Sequence, residues 1–226
     1  MKKSSAAVIA VLLPCLAYAA IVALTEQASG NTGTTPGREK RAALAIRDNV
    51  TPFQKWGSRN FTLPYLNRYY DAAWYFTQSD PRDCRQLFLA RLDEALKRYP
   101  QVDLFILAHD NRLVTWIEGL PAEQRERLRL VYNTGCYDLK QGPLWLSLGA
   151  KAYVGHPGYS VSPVFYFYFL RRWTRGIKLA DAIEESNALM RLIITRAQLF
   201  SFGKLKMDKK IQESEAFCYG DRELHL

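Results

Sequence analysis

Cysteine is scarce, with four in 226 residues, no Cys-x-x-Cys pair and no Cys/His cluster at metal-ligand spacing. That removes the disulfide-scaffold, dithiol-redox and structural-zinc readings. A glycine-rich phosphate loop is missing, and so is any internal repeat, so nothing points to a nucleotide or to a solenoid. "GYSVS" (158–162) lacks the closing glycine of a serine nucleophile elbow. Dense basic runs are limited to "REKR" (38–41) and "RRWTR" (171–175), although the net charge is +9. Such a charge favours anionic surfaces, but no zinc-ligand or RNA-recognition signature accompanies it, and nucleic acid is not an expected partner. No cofactor and no metal are expected.

What is present is an ordinary globular composition, 48% hydrophobic and 23% charged, on a chain long enough to bury one core without staples. The amino terminus differs. Lys2 and Lys3 precede an uncharged run over 4–25, which reads as an export signal. Cleavage after the small-x-small site Ala17-Tyr18-Ala19 and retention as a signal anchor are both open, and the length of the apolar run favours the anchor. The leading lysines orient the remainder outward, which suits a bacterial cell envelope, membrane-anchored or periplasmic. Cys15 follows Pro14 and reads as a packing residue. The Gly/Thr-rich stretch 26–40 has linker composition, leaving 41–226 as the folded domain.

Within that domain, short apolar runs alternate with helical periodicity. Strands are expected at 71–78, at 102–109, in "LRLVYNTG" (128–135) and in "AKAYVGHP" (150–157); continuous apolar runs of this length suit strands covered on both faces. Between the first two, Asp80 as N-cap and Pro81 at the first helical position open a helix with Leu87, Leu89, Leu92, Leu96 and Tyr99 in phase, stopped by Pro100. Short helices are expected at "PAEQRERLR" (121–129) and "QGPLWLSLG" (141–149), and longer ones after Ser162-Pro163 and across 178–199. The latter carries Leu179, Ile183, Met190, Ile193, Ile194 and Ala197 on one face. "FYFYF" (165–169) reads as core, "FTLPYLNRYY" (61–70) as irregular, 203–210 as a loop, and the last twelve residues as strand-like. The stretch 41–56 fits a strand or a short helix. The alternation makes the fold α/β with a mostly parallel sheet.

Ligands and reactive groups of such sheets gather beyond the carboxyl ends of the strands. Two successive strands end there in useful chemistry, one at His109 and the other at Cys136, 27 residues apart. Neighbouring parallel strands would bring an imidazole and a thiol to one rim, the pair that thiol-dependent acyl transfer uses. His156, after the next strand, reaches the same rim; its functional reading is substrate binding and its simpler one a turn beside Pro157 and Gly158. Asp138 either selects a basic substrate side chain or caps the next helix, the cap being preferred. For Cys84, Cys136 and Cys218, buried thiols are the simpler reading, with a Cys84–Cys218 bridge as the alternative.

In order along the chain, "AHDN", "YNTGCYD", "GAKAYVG", "GIKLADAI" and the final "CYGDRELHL" resemble the caspase-like superfamily of cysteine peptidases, in particular gingipain-like and CHAT-type members. The similarity spans roughly 71–226. It implies a three-layer α/β sandwich with a caspase-like sheet, a peptide or protein substrate, His109 as general acid/base, Cys136 as nucleophile, and an oxyanion hole from backbone N–H groups near Asp110 and Gly135. Members usually carry glycine after the histidine, where this chain has Asp110. A carboxylate there opposes a developing oxyanion, so the resemblance equally implies an alternative, a catalytically inactive caspase-like module that binds peptide or protein. The interval between His109 and Cys136 is also shorter than the roughly 50 residues of caspases.

Overall fold

A computed structural model describes residues 40–48, 52–78, 83–107, 113–160, 164–200 and 208–226. Its centre is a six-stranded sheet of β1 (Arg41–Arg47), β2 (Ala72–Thr77), β3 (Gln101–Leu107), β4 (Leu128–Asn133), β5 (Ala152–Gly155) and β6 (Phe217–Gly220). The spatial order is β2-β1-β3-β4-β5-β6. All neighbours are parallel except β6, which runs antiparallel to β5. The α/β class with a mostly parallel sheet is therefore as the sequence reads.

Strand alternation divides the core into two layers. Ala42, Leu44 and Ile46 join Val102, Leu104, Ile106, Val131 and Tyr153 on one face, because successive side chains of a strand point to opposite sides. That face is covered by α2 (Arg85–Arg98), through Phe88, Leu92, Ala95 and Leu96, by α3 (Leu113–Ile117), and by Trp145 of α5 (Gly142–Ser147). Between α3 and β4 runs the one-turn α4 (Ala122–Arg125). On the other face Ala43 and Ala45 leave room for Phe105, Tyr132, Phe165 and Phe169. There the cover is α1 (Pro52–Tyr69), a π-helical turn (Phe165–Phe169) continuing into α6 (Leu170–Thr174), and α7 (Leu179–Phe200). A last helix, α8 (Asp208–Ser214), leads into β6.

Several local expectations need correction. "FTLPYLNRYY" is helical, since α1 carries Pro64 in its interior, and its Tyr65 and Leu66 are buried against the sheet. The helix before β3 does not run from Asp80. Cys84 is its cap, and Asp83 Oδ1 accepts the Arg85 N–H at 2.9 Å; Asp80 and Pro81 lie outside the described residues. The buried stripe of α2 is Phe88, Leu92, Ala95 and Leu96, whereas Leu87 points to solvent. Helix periodicity was satisfied by either frame, and the aromatic partners Phe76 and Trp116 of Phe88 select one of them. Part of the expected loop 203–210 is helix, because α8 begins at Asp208. The stretch 41–47 is the strand β1. No helix among the described residues is long and apolar enough to cross a membrane; the expected signal segment 1–25 lies outside them.

At the amino edge of the sheet, Asp103 and Arg129 form a buried ion pair, with Nε donating to Oδ1 at 2.9 Å. Tyr70 and Trp173 also donate to the Asp103 carboxylate, and Arg129 Nη1 donates to the His225 carbonyl at 2.9 Å. Every polar partner here is matched, as a buried charge pair requires.

Candidate functional site

The carboxyl edge is where β3 and β4 end side by side. Ile106 pairs with Asn133, and the Thr134 N–H donates to the Ile106 carbonyl at 2.8 Å, so the chain stays beside β3 for one residue past β4. It then turns. Asn133 Oδ1 accepts the Gly135 N–H at 2.8 Å, an Asx turn that redirects the backbone. The left-handed residue of this turn is Tyr137, at φ 60°, and not Gly135. A bulky residue in that region costs of order 1–3 kcal/mol, and such strain collects at functional sites.

Cys136 sits between these two residues, half-buried. The loop after β5 is laced to it: Tyr137 N–H donates to Gly158 O at 2.8 Å and Leu139 N–H to His156 O at 3.0 Å. Two residues beyond Gly158, the Ser160 N–H points at Cys136 Sγ at 3.5 Å. Cys136 is therefore held by backbone from two neighbouring strand ends and is half-buried.

Around it, Tyr137 and Tyr159 stand exposed with rings edge to face, centroids 5.4 Å apart. The Tyr137 hydroxyl is pushed up to about 12, chiefly by its hydrogen bond with the Tyr159 hydroxyl, with smaller effects of burial and of the charges of Glu213 and Cys136. Glu213, on α8, lies against the same loop. Its Cβ and Cγ occupy the place a side chain at Gly158 would need, 2.5 and 2.7 Å from an added Cβ.

His156 is at the rim by sequence but is buried in the structure. Its Nδ1 faces the Ser214 carbonyl at 2.9 Å, so Nδ1 carries the proton. Among the described residues its Nε2 has no hydrogen-bond partner, and His156 lines a water-sized cavity of about 10 Å³ together with Ser186, Asn187 and Ser214. Burial pushes the imidazole down to about 4, only partly offset by the carbonyls of Ser214 and Glu215. Asp138 is also fully buried. It occupies the N-cap of a 3-10 turn (Leu139–Gln141) without a side-chain cap hydrogen bond. Its carbonyl instead accepts the Tyr153 hydroxyl at 2.7 Å, and burial followed by the Asp138 charge moves that phenol far above its usual range.

The structure thus brings together Cys136, Gly135, Asp138 and His156 on the two loops after β4 and β5. His109 and Asp110 lie outside the described residues, β3 ending at Leu107. Cys84, Cys136 and Cys218 are all free thiols and half-buried, so no Cys84–Cys218 bridge is formed. Burial raises both outer thiols, Cys84 with help from Asp83, and Cys218 to about 11. Tyr137, Tyr159, Ser160 and Glu213 were not singled out from sequence; adjacency to Cys136 was a signal only for Tyr137. Among the described residues no group of His, Cys, Asp or Glu is arranged to hold a metal ion. No family model matches the chain, and no curated protein matches it.

Proposed function

We propose that this chain is a caspase-like cysteine peptidase, exported and held at a bacterial envelope through its amino-terminal apolar segment. The observation that carries the reading is the position of Cys136 at the carboxyl edge. It follows β4, whose parallel neighbour β3 ends two residues before His109 in the sequence, and a backbone N–H is directed at its sulfur. In this reading the thiolate of Cys136 attacks the carbonyl carbon of a peptide bond. The oxyanion is met by backbone N–H groups, the leaving amine takes a proton from His109, and a thioester remains. Water, giving one proton to His109, then adds to the thioester carbonyl and releases the carboxylic acid, restoring the thiolate and the protonated His109. The caspase-like three-layer arrangement belongs to the same proposal, and the two-faced helical cover of a mostly parallel sheet supports it.

The second reading, an inactive module of the same fold that binds peptide or protein, is favoured by Asp110, whose carboxylate would sit where an oxyanion develops. One experiment separates the two. At neutral pH a small alkylating reagent should modify Cys136 far faster than Cys84 or Cys218, whose thiols burial keeps protonated. His109→Ala should slow Cys136 alone and leave the rates of Cys84 and Cys218 unchanged. Equal rates at all three, unchanged by His109→Ala, would leave the binding module.

A further inference from the structure

We propose that Tyr137 and Tyr159 form the side-chain subsite beside Cys136, and that it takes a flat, uncharged side chain: phenylalanine, tyrosine or tryptophan of a peptide. This rests on the reading of Cys136 as nucleophile. The two tyrosines bracket the sulfur along both chain segments, since Tyr137 follows Cys136 and Tyr159 precedes the residue whose N–H meets Sγ. They are 47% and 54% exposed, a large solvent-facing aromatic area next to a held thiol, whereas aromatic side chains usually bury their faces.

Their rings face each other edge to face, so what a ligand meets between them is chiefly aromatic carbon. Rings meeting edge to face at 5.4 Å leave an open angle in which a third ring finds one face and one edge. The backbone fixes that angle. Tyr137 is held at φ 60° by its N–H bond to Gly158, and Gly158 is held in turn by its own N–H bond to the Glu213 carbonyl at 2.9 Å. A cationic side chain is the rival occupant, given the Glu213 carboxylate nearby. The net charge of +9 opposes it, and Glu213 has interactions of its own.

The test uses the full chain and three N-acetyl aminoacyl chloromethyl ketones, carrying phenylalanine, alanine and lysine, with the rate at Cys136 read by mass spectrometry and divided by the iodoacetamide rate of the same variant. An aromatic contact of about 0.5–1.5 kcal/mol corresponds to a preference of roughly twofold to tenfold for phenylalanine over alanine. Tyr159→Phe should keep that preference and Tyr159→Leu should lose it. Equal phenylalanine and alanine rates, a fastest lysine reagent, or a preference that survives Tyr159→Leu would overturn the subsite while leaving the nucleophile intact. If His109→Ala changes none of the rates, the underlying reading of Cys136 fails instead, and the subsite with it.

Discussion

His156 makes the stability of this protein depend on pH, with a sign that its burial fixes. The imidazole is buried, with Nδ1–H given to the Ser214 carbonyl and Nε2 without a hydrogen-bond partner among the described residues, and burial holds it down at about 4. In the unfolded chain it returns to about 6.5. Between those values the unfolded state binds the extra proton and the folded state does not, so stability falls as pH falls. The stabilisation is whole above the unfolded value, is lost through the window from 6.5 down to about 4, and changes no further below it. At roughly 1.4 kcal/mol per unit the full loss is about 3 kcal/mol, of which about 2 kcal/mol has gone by pH 5, where most carboxylates remain ionised. Urea unfolding of the full chain at pH 7.5 and pH 5, beside His156→Asn, reads this term by difference. Wild type should lose about 2 kcal/mol more than the variant over that interval. Parallel losses in the two proteins would show that His156 is not held neutral by burial, and the placement of its ring would be wrong.

Other perturbations follow from the same physics. Arg129→Met leaves Asp103 buried without its cation and should cost about 3–5 kcal/mol in denaturant unfolding. The double variant Asp103→Leu/Arg129→Met should recover most of that loss, and additive losses would contradict the pairing. Gly220→Ala should push β6 from β5, because Gly220 has φ +86° and an added Cβ would lie 2.2 Å from the Lys151 carbonyl. A loss of at least about 2 kcal/mol is expected, with faster amide exchange at Cys218 and Tyr219; an unchanged midpoint would refute it. Arg129→Lys keeps the charge but not the two-pronged geometry, and should be intermediate between wild type and Arg129→Met.

Legibility from sequence followed the physics of each segment. β3, β4 and β5 are mostly apolar runs covered on both faces, interrupted only near their starts by Asp103 and Arg129, and such runs identify themselves. The edge strand β6 was legible only as strand-like, because its residues are mostly exposed. The helix α1 was missed: Pro64 reads as a breaker, and only packing of Tyr65 and Leu66 on the sheet overrides it. At the site, the strand-end rule located Cys136, because that rule needs only strand limits. It said nothing of depth. His156 and Asp138 are at the expected rim positions and yet buried, because α8 and the β4–β5 loops close over them, a long-range effect without local signature. Glu213 touches this loop only through the fold, from a segment 53 residues beyond Ser160.

The account depends on His109 and Cys136 sharing one edge of the sheet closely enough for each to feel the other's charge. The most direct measurement is the imidazole titration of His109, followed by nuclear magnetic resonance in the full chain before and after alkylation of Cys136. A thiolate neighbour stabilises the imidazolium, so removing it should lower the His109 value by about one unit or more. A His109 titration that alkylation leaves unmoved would contradict the dyad.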